Sequence, residues 1–185
     1  SRSYIDKLLT SLNIEPKYSS LRANHFSDDK YDNEIDLNLQ KEYSKKIGIL
    51  GWLSRTQPQV CFMFSFLSCY THKPTYHFLK VLNTCLYTCF NNMSILVYVP
   101  VKDLNRICLE LWTDAAYNRK KHTTRVGYIV KCINHVCSGV RSSYINVLDW
   151  RSKLIKMKVA STTAAELIAL KFGIKYMYVY IHFLQ

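Results

Sequence analysis

Apolar residues follow a helical period at the start of the chain and then lose it. In residues 3–14 they stand three or four positions apart, which predicts a short helix. Residues 15–36 are rich in Ser, Asp, Asn and Lys and show no apolar period, so they predict a loop or linker. We place a domain boundary at residue 36.

Three further helices are predicted between residues 38 and 90. The first covers 37–54 and ends before Pro58, because proline disfavours helix in the residue that precedes it. The second runs from Pro58 to about Tyr70, with proline in the first turn, where its missing N–H costs least. The third covers 76–90 and carries an apolar stripe along one face.

The pattern then changes from helical spacing to strand signals. Residues 95–101, 106–117 and 125–133 are rich in β-branched and aromatic residues, and apolar positions alternate in the second of these segments. The last segment opens with Ser and Thr, which are capping residue types, and predicts a helix from about Thr163. Its end is ambiguous, because YMYVYIHF has β propensity. The predicted fold class is α+β, a helical part followed by a sheet domain.

Length and composition indicate a globular intracellular protein. The chain has 185 residues, of which 49% are apolar, enough to bury a core. No segment combines a basic start, an apolar stretch and a small-residue cleavage site, so we expect no secretion. The apolar run at 60–70 is too short to cross a bilayer. We therefore expect a location in the cytoplasm or nucleus and no membrane partner.

The net charge of +12 is concentrated in one part of the chain. Residues 1–46 hold 8 acidic and 8 basic residues, whereas residues 47–185 hold 5 acidic and 17 basic residues. Such a surplus is typical of proteins that contact nucleic-acid phosphates, although a solvated basic surface would have the same composition.

The seven cysteines favour core packing over a disulfide framework. They are odd in number and lie among apolar residues, where cysteine behaves as a small hydrophobe. The only metal-like spacing joins Cys132, His135 and Cys137, and it lacks a fourth ligand at a recognisable distance. We favour packing over zinc binding at these positions.

Two carboxylates stand where a divalent cation could bind. Asp114 ends an alternating segment, and Glu166 lies on the predicted last helix, so the two could converge at one sheet edge. Mg²⁺ prefers oxygen ligands and shares them with substrate phosphates. The alternative is structural: Asp114 could be a turn or cap residue, and Glu166 could lie on a solvent face beside a lysine.

Several ordered motifs resemble the copia-type retrotransposon polyproteins. Residues 43–88 are similar to the family segment Y-x-x-x-(I/V)-G-x-L-x-(W/Y)-L, then T-R-P-D-I, L-S, P-T, H and Y-L-x-G-T. Residues 112–118 (WTDAAYN), a later GYIV and residues 149–170 resemble the start of that family's RNase H domain, and residues 3–16 resemble the end of its reverse transcriptase. The resemblance covers nearly the whole chain.

The resemblance implies a fold and a role for each matching position. Residues 1–36 would be the end of the reverse transcriptase region and a polar linker, 37–100 a helical connection segment, and 101–185 a partial RNase H-like α/β sheet domain. Asp114 and Glu166 would be catalytic ligands of Mg²⁺ or Mn²⁺ in a site that hydrolyses the RNA of an RNA–DNA hybrid. Contacts to hybrid phosphates would come from Arg119, Lys120, Lys121, Arg125, Arg151, Lys153, Lys156 and Lys158.

Departures from the family motifs argue against activity. Gln57 and Gln59 replace a basic and an acidic residue, and Ala164 stands at a position that is usually Glu. The family's site needs further aspartates after the first helix, yet no acid follows Glu166, and Asp149 precedes that helix. Two carboxylates hold paired magnesium ions poorly, so we expect no appreciable nuclease or polymerase activity from this chain alone.

Three functional hypotheses remain open. The leading one is a fragment of a copia-like polyprotein, inactive by itself and with some affinity for nucleic acid. In the second, a longer product, other polyprotein segments or a partner chain completes an active RNase H. In the third, the chain is a non-catalytic nucleic-acid-binding or interaction protein recruited from the element.

Overall fold

The chain is α+β and divides into two units, residues 1–95 (unit 1) and residues 96–185 (unit 2). The computed structural model describes residues 10–12, 14, 20–26, 33–92, 96–101, 106–118, 123–134, 144–155 and 157–184. Unit 1 is helical, and unit 2 is a three-stranded antiparallel sheet with one long helix. The division lies five residues before the predicted boundary at 100/101, and the predicted boundary at residue 36 lies within unit 1.

The first long helix of unit 1 confirms the prediction from apolar spacing. Helix α1 spans Leu37–Leu53, and Asp36 caps its N-terminus by accepting hydrogen bonds from the N–H groups of Asn38 (2.8 Å) and Leu39 (2.9 Å). The N-terminal part of the chain is described less fully. Most of the predicted helix at 3–14 lies outside the described residues, and the predicted loop at 15–36 contains a short 3₁₀ turn, Ala23–Phe26.

The second predicted helix is interrupted. A 3₁₀ turn at Pro58–Val60 leads into helix α2 (Cys61–Leu67), which is followed by a second 3₁₀ turn, Ser68–Tyr70. Aromatic packing accompanies this geometry, because Phe66 contacts both Tyr70 and Phe78 with ring centroids 5.3 and 5.9 Å apart. Helix α3 spans Tyr76–Asn91 and confirms the third prediction.

The core of unit 1 lies among α1, α2 and α3. Tyr43 is fully buried and donates a hydrogen bond from its hydroxyl to the Leu67 carbonyl oxygen at 2.8 Å. Lys46 is also fully buried, where it pairs with Glu42 and donates to Asn83 Oδ1 at 2.7 Å. The remaining fully buried apolar side chains include Leu50, Leu53, Val60, Leu67, Val81, Leu82 and Leu86.

The sheet of unit 2 has the order β1-β2-β3 and is antiparallel throughout. Its strands are β1 (Ile107–Asn118), β2 (Thr123–Asn134) and β3 (Tyr144–Ile155). The predicted strands at 106–117 and 125–133 are confirmed as β1 and β2.

The strand predicted at 95–101 is wrong, and β3 was not predicted. Residues 96–101 form no strand, because Pro100 has no N–H to donate to a ladder. The segment is held instead by the side-chain amide of Asn146, which accepts from the Val99 N–H (2.9 Å) and donates to its carbonyl oxygen (2.8 Å). In β3, charged and apolar residues alternate as Asp149, Trp150, Arg151, a period-2 pattern that predicts a strand when charges are allowed on one face.

Helix α4 spans Thr162–Leu184 and packs against β1 and β2. Its buried stripe consists of small residues, Ala165, Ala169 and Gly173, which let the helix approach the sheet closely. YMYVYIHF is helical despite its β propensity, and its contacts with the sheet include those of Tyr176, which stacks on Tyr128, and Tyr180, which donates to the Leu148 carbonyl oxygen. By length and composition α4 is also long and apolar enough to cross a membrane. The absence of a membrane partner stays a prediction.

Candidate functional site

Asp114 lies on the sheet face that α4 does not cover. A Cβ atom at Gly173 would lie 2.7 Å from Thr113 Cγ2 and 2.9 Å from Leu111 Cδ1, so these two side chains point toward α4. Side chains alternate along a strand, and Asp114 therefore points to the opposite face, where it is exposed. Its Oδ1 atom accepts a hydrogen bond from the Ala115 N–H at 2.9 Å.

Glu166 lies on the β1 side of α4, near the same end of the sheet as Asp114. Seven residues separate it from Gly173, which returns it to within about 20° of that glycine around the helix. Phe172, Tyr176 and Tyr180 lie beside Lys153, Arg151 and Leu148 of β3 in that order, so α4 runs antiparallel to β3 and to β1. This direction carries Glu166 toward the end of β1 that follows Thr113. Glu166 is exposed, and in the described part of the chain it makes no hydrogen bond or ion pair.

The two predicted metal ligands, which were expected at one sheet edge, both lie beside β1 and stand on either side of it. β1 pairs only with β2 among the described strands, so the two carboxylates stand on either side of an edge strand. The described residues contain no group of three or more His, Cys, Asp and Glu side chains that could hold a metal ion. The residues present therefore do not fit a two-metal site by themselves, and the roles of Asp114 and Glu166 as metal ligands stay predictions.

Asp149, the remaining carboxylate near this region, is engaged in the packing of β3. Its Oδ2 atom accepts a hydrogen bond from the Tyr128 hydroxyl at 2.7 Å, and its Oδ1 atom accepts from the Trp150 N–H at 2.8 Å. Burial raises the pKa of Tyr128, and the hydrogen bond to Asp149 raises it further. The pair keeps Tyr128 protonated and holds β3 to β2.

Among the described residues of unit 2, Arg151 and Lys153 form a basic surface that is supported by aromatic rings. Both are exposed on β3 and point to the face that carries α4. The Arg151 guanidinium carbon lies 4.5 Å from the ring centroid of Tyr176, and its Nη1 atom donates to the Tyr176 hydroxyl at 3.2 Å. Lys153 Nζ lies 5.9 Å from the ring centroid of Phe172. The rings of Tyr176 and Phe172 lie beside the charged groups themselves, and both basic residues remain exposed. We name Arg151 and Lys153 the β3 basic pair.

This aromatic support was not predicted from the sequence. Tyr176 belongs to YMYVYIHF, whose end was ambiguous, and its ring also stacks on Tyr128 with centroids 5.1 Å apart. The signal that could have found it is helical periodicity, because Phe172 and Tyr176 are four residues apart and share one face of α4.

The other predicted nucleic-acid contacts that the structure describes, Arg125 and Lys158, lie on other elements than the β3 basic pair. Arg125 lies on β2 opposite Ala116, on the same sheet face as Asp114 and away from the β3 basic pair. Lys158 is exposed between β3 and α4. Arg119, Lys120, Lys121 and Lys156 lie outside the described residues. Of the four predicted basic residues that the structure describes, it therefore brings together Arg151 and Lys153.

On the sheet face that α4 does not cover, the side chain of Lys131 is held by neighbouring side chains. Lys131 Nζ lies 3.2 Å from the ring centroid of Trp112 and 3.8 Å from Glu110 Oε2. The tryptophan is 56% exposed, so one of its faces meets Lys131 and much of the rest meets solvent. Since Lys131 is already paired, it contributes less than the β3 basic pair to binding an external phosphate.

Of the three residues considered for zinc binding, Cys132 lies within the described residues. Cys132 is buried on β2, and burial raises the pKa of its thiol, as does nearby Cys108. His135 and Cys137 lie outside the described residues. The burial of Cys132 agrees with its interpretation as a core residue.

No protein-family model, curated protein or solved structure matches this chain.

Proposed function

We propose that unit 2 binds nucleic acid through the β3 basic pair and its neighbours, as part of a segment derived from the reverse transcriptase and RNase H region of a copia-like polyprotein. Unit 2 contains 14 Lys and Arg residues against 5 Asp and Glu residues. Such a surplus favours phosphate contacts through release of condensed counterions. The observation that carries the proposal is the support of Arg151 by Tyr176, which places an exposed guanidinium in a defined position.

The order of elements is compatible with an RNase H-like origin. Three antiparallel strands are followed by a helix on one face, with Asp114 on the first strand and Glu166 on the helix. This is the arrangement that the resemblance implies for the start of an RNase H domain. It supports RNA–DNA hybrid as the first ligand to test, and the lack of a third nearby carboxylate among the described residues supports binding without cleavage.

Fluorescence anisotropy with a labelled RNA–DNA hybrid tests the binding function. We expect the affinity of the full chain to fall steeply as salt concentration rises, and we expect Arg151→Gln/Lys153→Gln to lower the salt slope by about 2, one for each lost phosphate contact. Lys45→Gln/Lys80→Gln is the matched control, because it removes two exposed charges from unit 1. Weak binding that does not respond to salt, or equal loss in both double variants, would contradict the proposal.

A second candidate function is hybrid-specific cleavage by a completed RNase H site. The observation that favours it is the position of Asp114 and Glu166 at the same end of β1, on either side of an edge to which a further strand could add. Incubation of the chain with labelled hybrid and Mg²⁺ or Mn²⁺ separates the two functions. We expect no cleavage by the chain alone. Metal-dependent cleavage that is lost in Asp114→Asn and Glu166→Gln would establish the catalytic function instead.

A further inference from the structure

Helix α4 presents apolar side chains beyond the outer edge of the sheet. Phe172, Gly173 and Ile174 are consecutive, so they are about 100° apart around the helix. Gly173 faces β1, and Phe172 points toward Lys153 on β3, which leaves Ile174 on the opposite flank, past β1. Three more apolar residues share that flank. We name the four residues Leu167, Leu170, Ile174 and Tyr178 the overhang stripe. Their side chains are 61%, 44%, 40% and 56% exposed, respectively.

The edge of β1 lies next to the overhang stripe. Residues 108–116 of β1 pair on one side with β2 and with no other strand of the described chain. A long edge strand presents unpaired N–H and C=O groups and binds other strands readily. The open edge and the overhang stripe are therefore two parts of one uncovered surface, one that forms hydrogen bonds and one that is apolar.

We propose that a second copy of this chain covers this surface in a two-fold symmetric dimer. The two β1 strands would pair antiparallel and form a six-stranded sheet. Neighbouring strands are about 4.8 Å apart, so an α4 above the β1–β2 pair would lie about 4.8 Å from the two-fold axis. The two copies of α4 would then be about 10 Å apart, which is the spacing of packed helices.

This spacing selects a second copy over other partners. An added strand from an unrelated chain covers the edge but leaves the overhang stripe exposed, and a lone helix covers the stripe but leaves the edge. A partner must offer a strand and a helix at matching offset to cover both. A second copy does so by symmetry, because a two-fold interface uses the same patch twice.

The charges on β1 select the register of the pairing. Glu110 and Asp114 point to the same face, and like charges directly opposite each other destabilise a strand pair. With the two-fold axis at Thr113, Asp114 lies opposite Trp112 of the other copy, and Glu110 lies opposite Ala116. An axis at Glu110, Trp112 or Asp114 would place two carboxylates opposite each other, whereas an axis at Leu111, Thr113 or Ala115 would not. We assign the axis to Thr113, because of these three positions it lies nearest the middle of β1 and pairs the most residues.

Sedimentation velocity of the full chain over a range of concentrations tests the dimer. We expect a monomer–dimer equilibrium in the unmodified chain. Leu170→Glu/Ile174→Glu places two carboxylates from each copy in the helix contact and should weaken association at least about a hundredfold, or about tenfold for each substituted position. Lys171→Glu/Lys175→Glu is the matched control on the exposed outer side of the same helix, and it should still dimerise.

Hydrogen exchange at high and low concentration tests the strand pairing separately. Amides within residues 108–116 should gain protection in the dimer, and Leu170→Glu/Ile174→Glu should remove that gain. The proposal is overturned if the chain stays monomeric, if the Leu170→Glu/Ile174→Glu variant dimerises normally, or if β1 gains no protection. Open-ended polymers would point to pairing through β3 instead, and vesicle binding without dimerisation would assign the stripe to a membrane. Either outcome would also reject the dimer.

Discussion

Replacement of Gly173 by alanine tests the close packing of α4 on β1. The added Cβ atom would lie 2.7 Å from Thr113 Cγ2, 2.9 Å from Leu111 Cδ1 and 3.2 Å from Leu111 Cδ2. Carbon atoms in contact are normally about 3.5–4.0 Å apart, so these neighbours must move. Leu111 can turn the end of its side chain away, but Thr113 is β-branched and stiff at χ1. The clash with Thr113 therefore decides the outcome.

Two effects oppose each other in this substitution. Alanine is better than glycine inside a helix by about 1 kcal/mol, which favours the variant. Overpacking of a close contact costs about 1–3 kcal/mol, and the short distance to a stiff side chain places Gly173→Ala toward the upper end. We expect a net loss of about 1–2 kcal/mol in the unfolding free energy of unit 2.

Gly48→Ala is the matched control within a helix. Gly48 is exposed in the interior of α1, and a Cβ atom there would meet nothing within 4 Å. Only the helix propensity changes, so the unfolding free energy of unit 1 should rise by about 1 kcal/mol. A glycine-to-alanine substitution is thus expected to raise the unfolding free energy of unit 1 at Gly48 and to lower that of unit 2 at Gly173.

Hydrogen exchange followed by mass spectrometry measures the two units separately in the full chain. Slowly exchanging amides of α1 and α3 report unit 1, and those of the sheet report unit 2. Gly173→Ala should accelerate exchange in the sheet about 5- to 30-fold, and Thr113→Ser in the same chain should recover part of the loss, because serine lacks the clashing methyl group. If Gly173→Ala slows exchange in the sheet as Gly48→Ala does in unit 1, α4 does not pack as closely on Thr113 and Leu111 as the distances from Gly173 indicate.

Three further predictions concern unit 1. Lys46→Ala should lower stability by about 3 kcal/mol, since it leaves Asn83 and Glu42 without their buried partner. The triple replacement Glu42→Gln/Lys46→Met/Asn83→Leu removes the cation together with its partners and should be close to neutral in urea unfolding. Asp36→Ala should cost about 1 kcal/mol through loss of the α1 cap, and Asp36→Asn should restore most of it. Burial raises the pKa of Tyr43 above its ordinary value of 10.0. The contribution of its protonated hydroxyl to the unfolding free energy is therefore complete below about pH 10 and is lost at higher pH. Tyr43→Phe should therefore flatten the alkaline fall in melting temperature, and an unchanged slope would contradict this.

The described helices of unit 1 were largely predictable from apolar spacing. This spacing predicted α1 within a residue of its observed bounds, and the structure adds the Asp36 cap, which the sequence analysis did not use. The interruption around α2 was not predictable, because its 3₁₀ turns lie in a single apolar run where helical spacing continues. A continuous apolar run shows that a segment is buried but does not distinguish an α-helix from 3₁₀ turns.

In unit 2, local propensity failed where tertiary contacts decide the structure. The apolar run ILVYVPV predicted a strand, but the Asn146 amide holds Val99 outside the sheet. The strand β3 was missed because its charged residues obscure the alternation, although they are stacked on aromatic rings of α4. The candidate site shows the same limit. Period-2 alternation assigns Asp114 to one face, but only the contact of Gly173 with Thr113 shows which face α4 covers.

The β1 edge connects the proposed dimer to the two candidate functions. A strand that supplied further carboxylates beside Asp114 and Glu166 would have to add to this edge, which the second copy would already occupy. Dimerisation and completion of an RNase H site are therefore mutually exclusive. The β3 basic pair lies at the other side of the sheet, on the opposite flank of α4, and remains accessible in the dimer.

Leu170→Glu/Ile174→Glu should consequently abolish self-association. It should leave the intrinsic affinity of each chain for hybrid within about twofold at low protein concentration, where the unmodified chain and the variant are both monomeric. A parallel loss of hybrid affinity under those conditions would mean that the overhang stripe, and not the β3 basic pair, contacts nucleic acid.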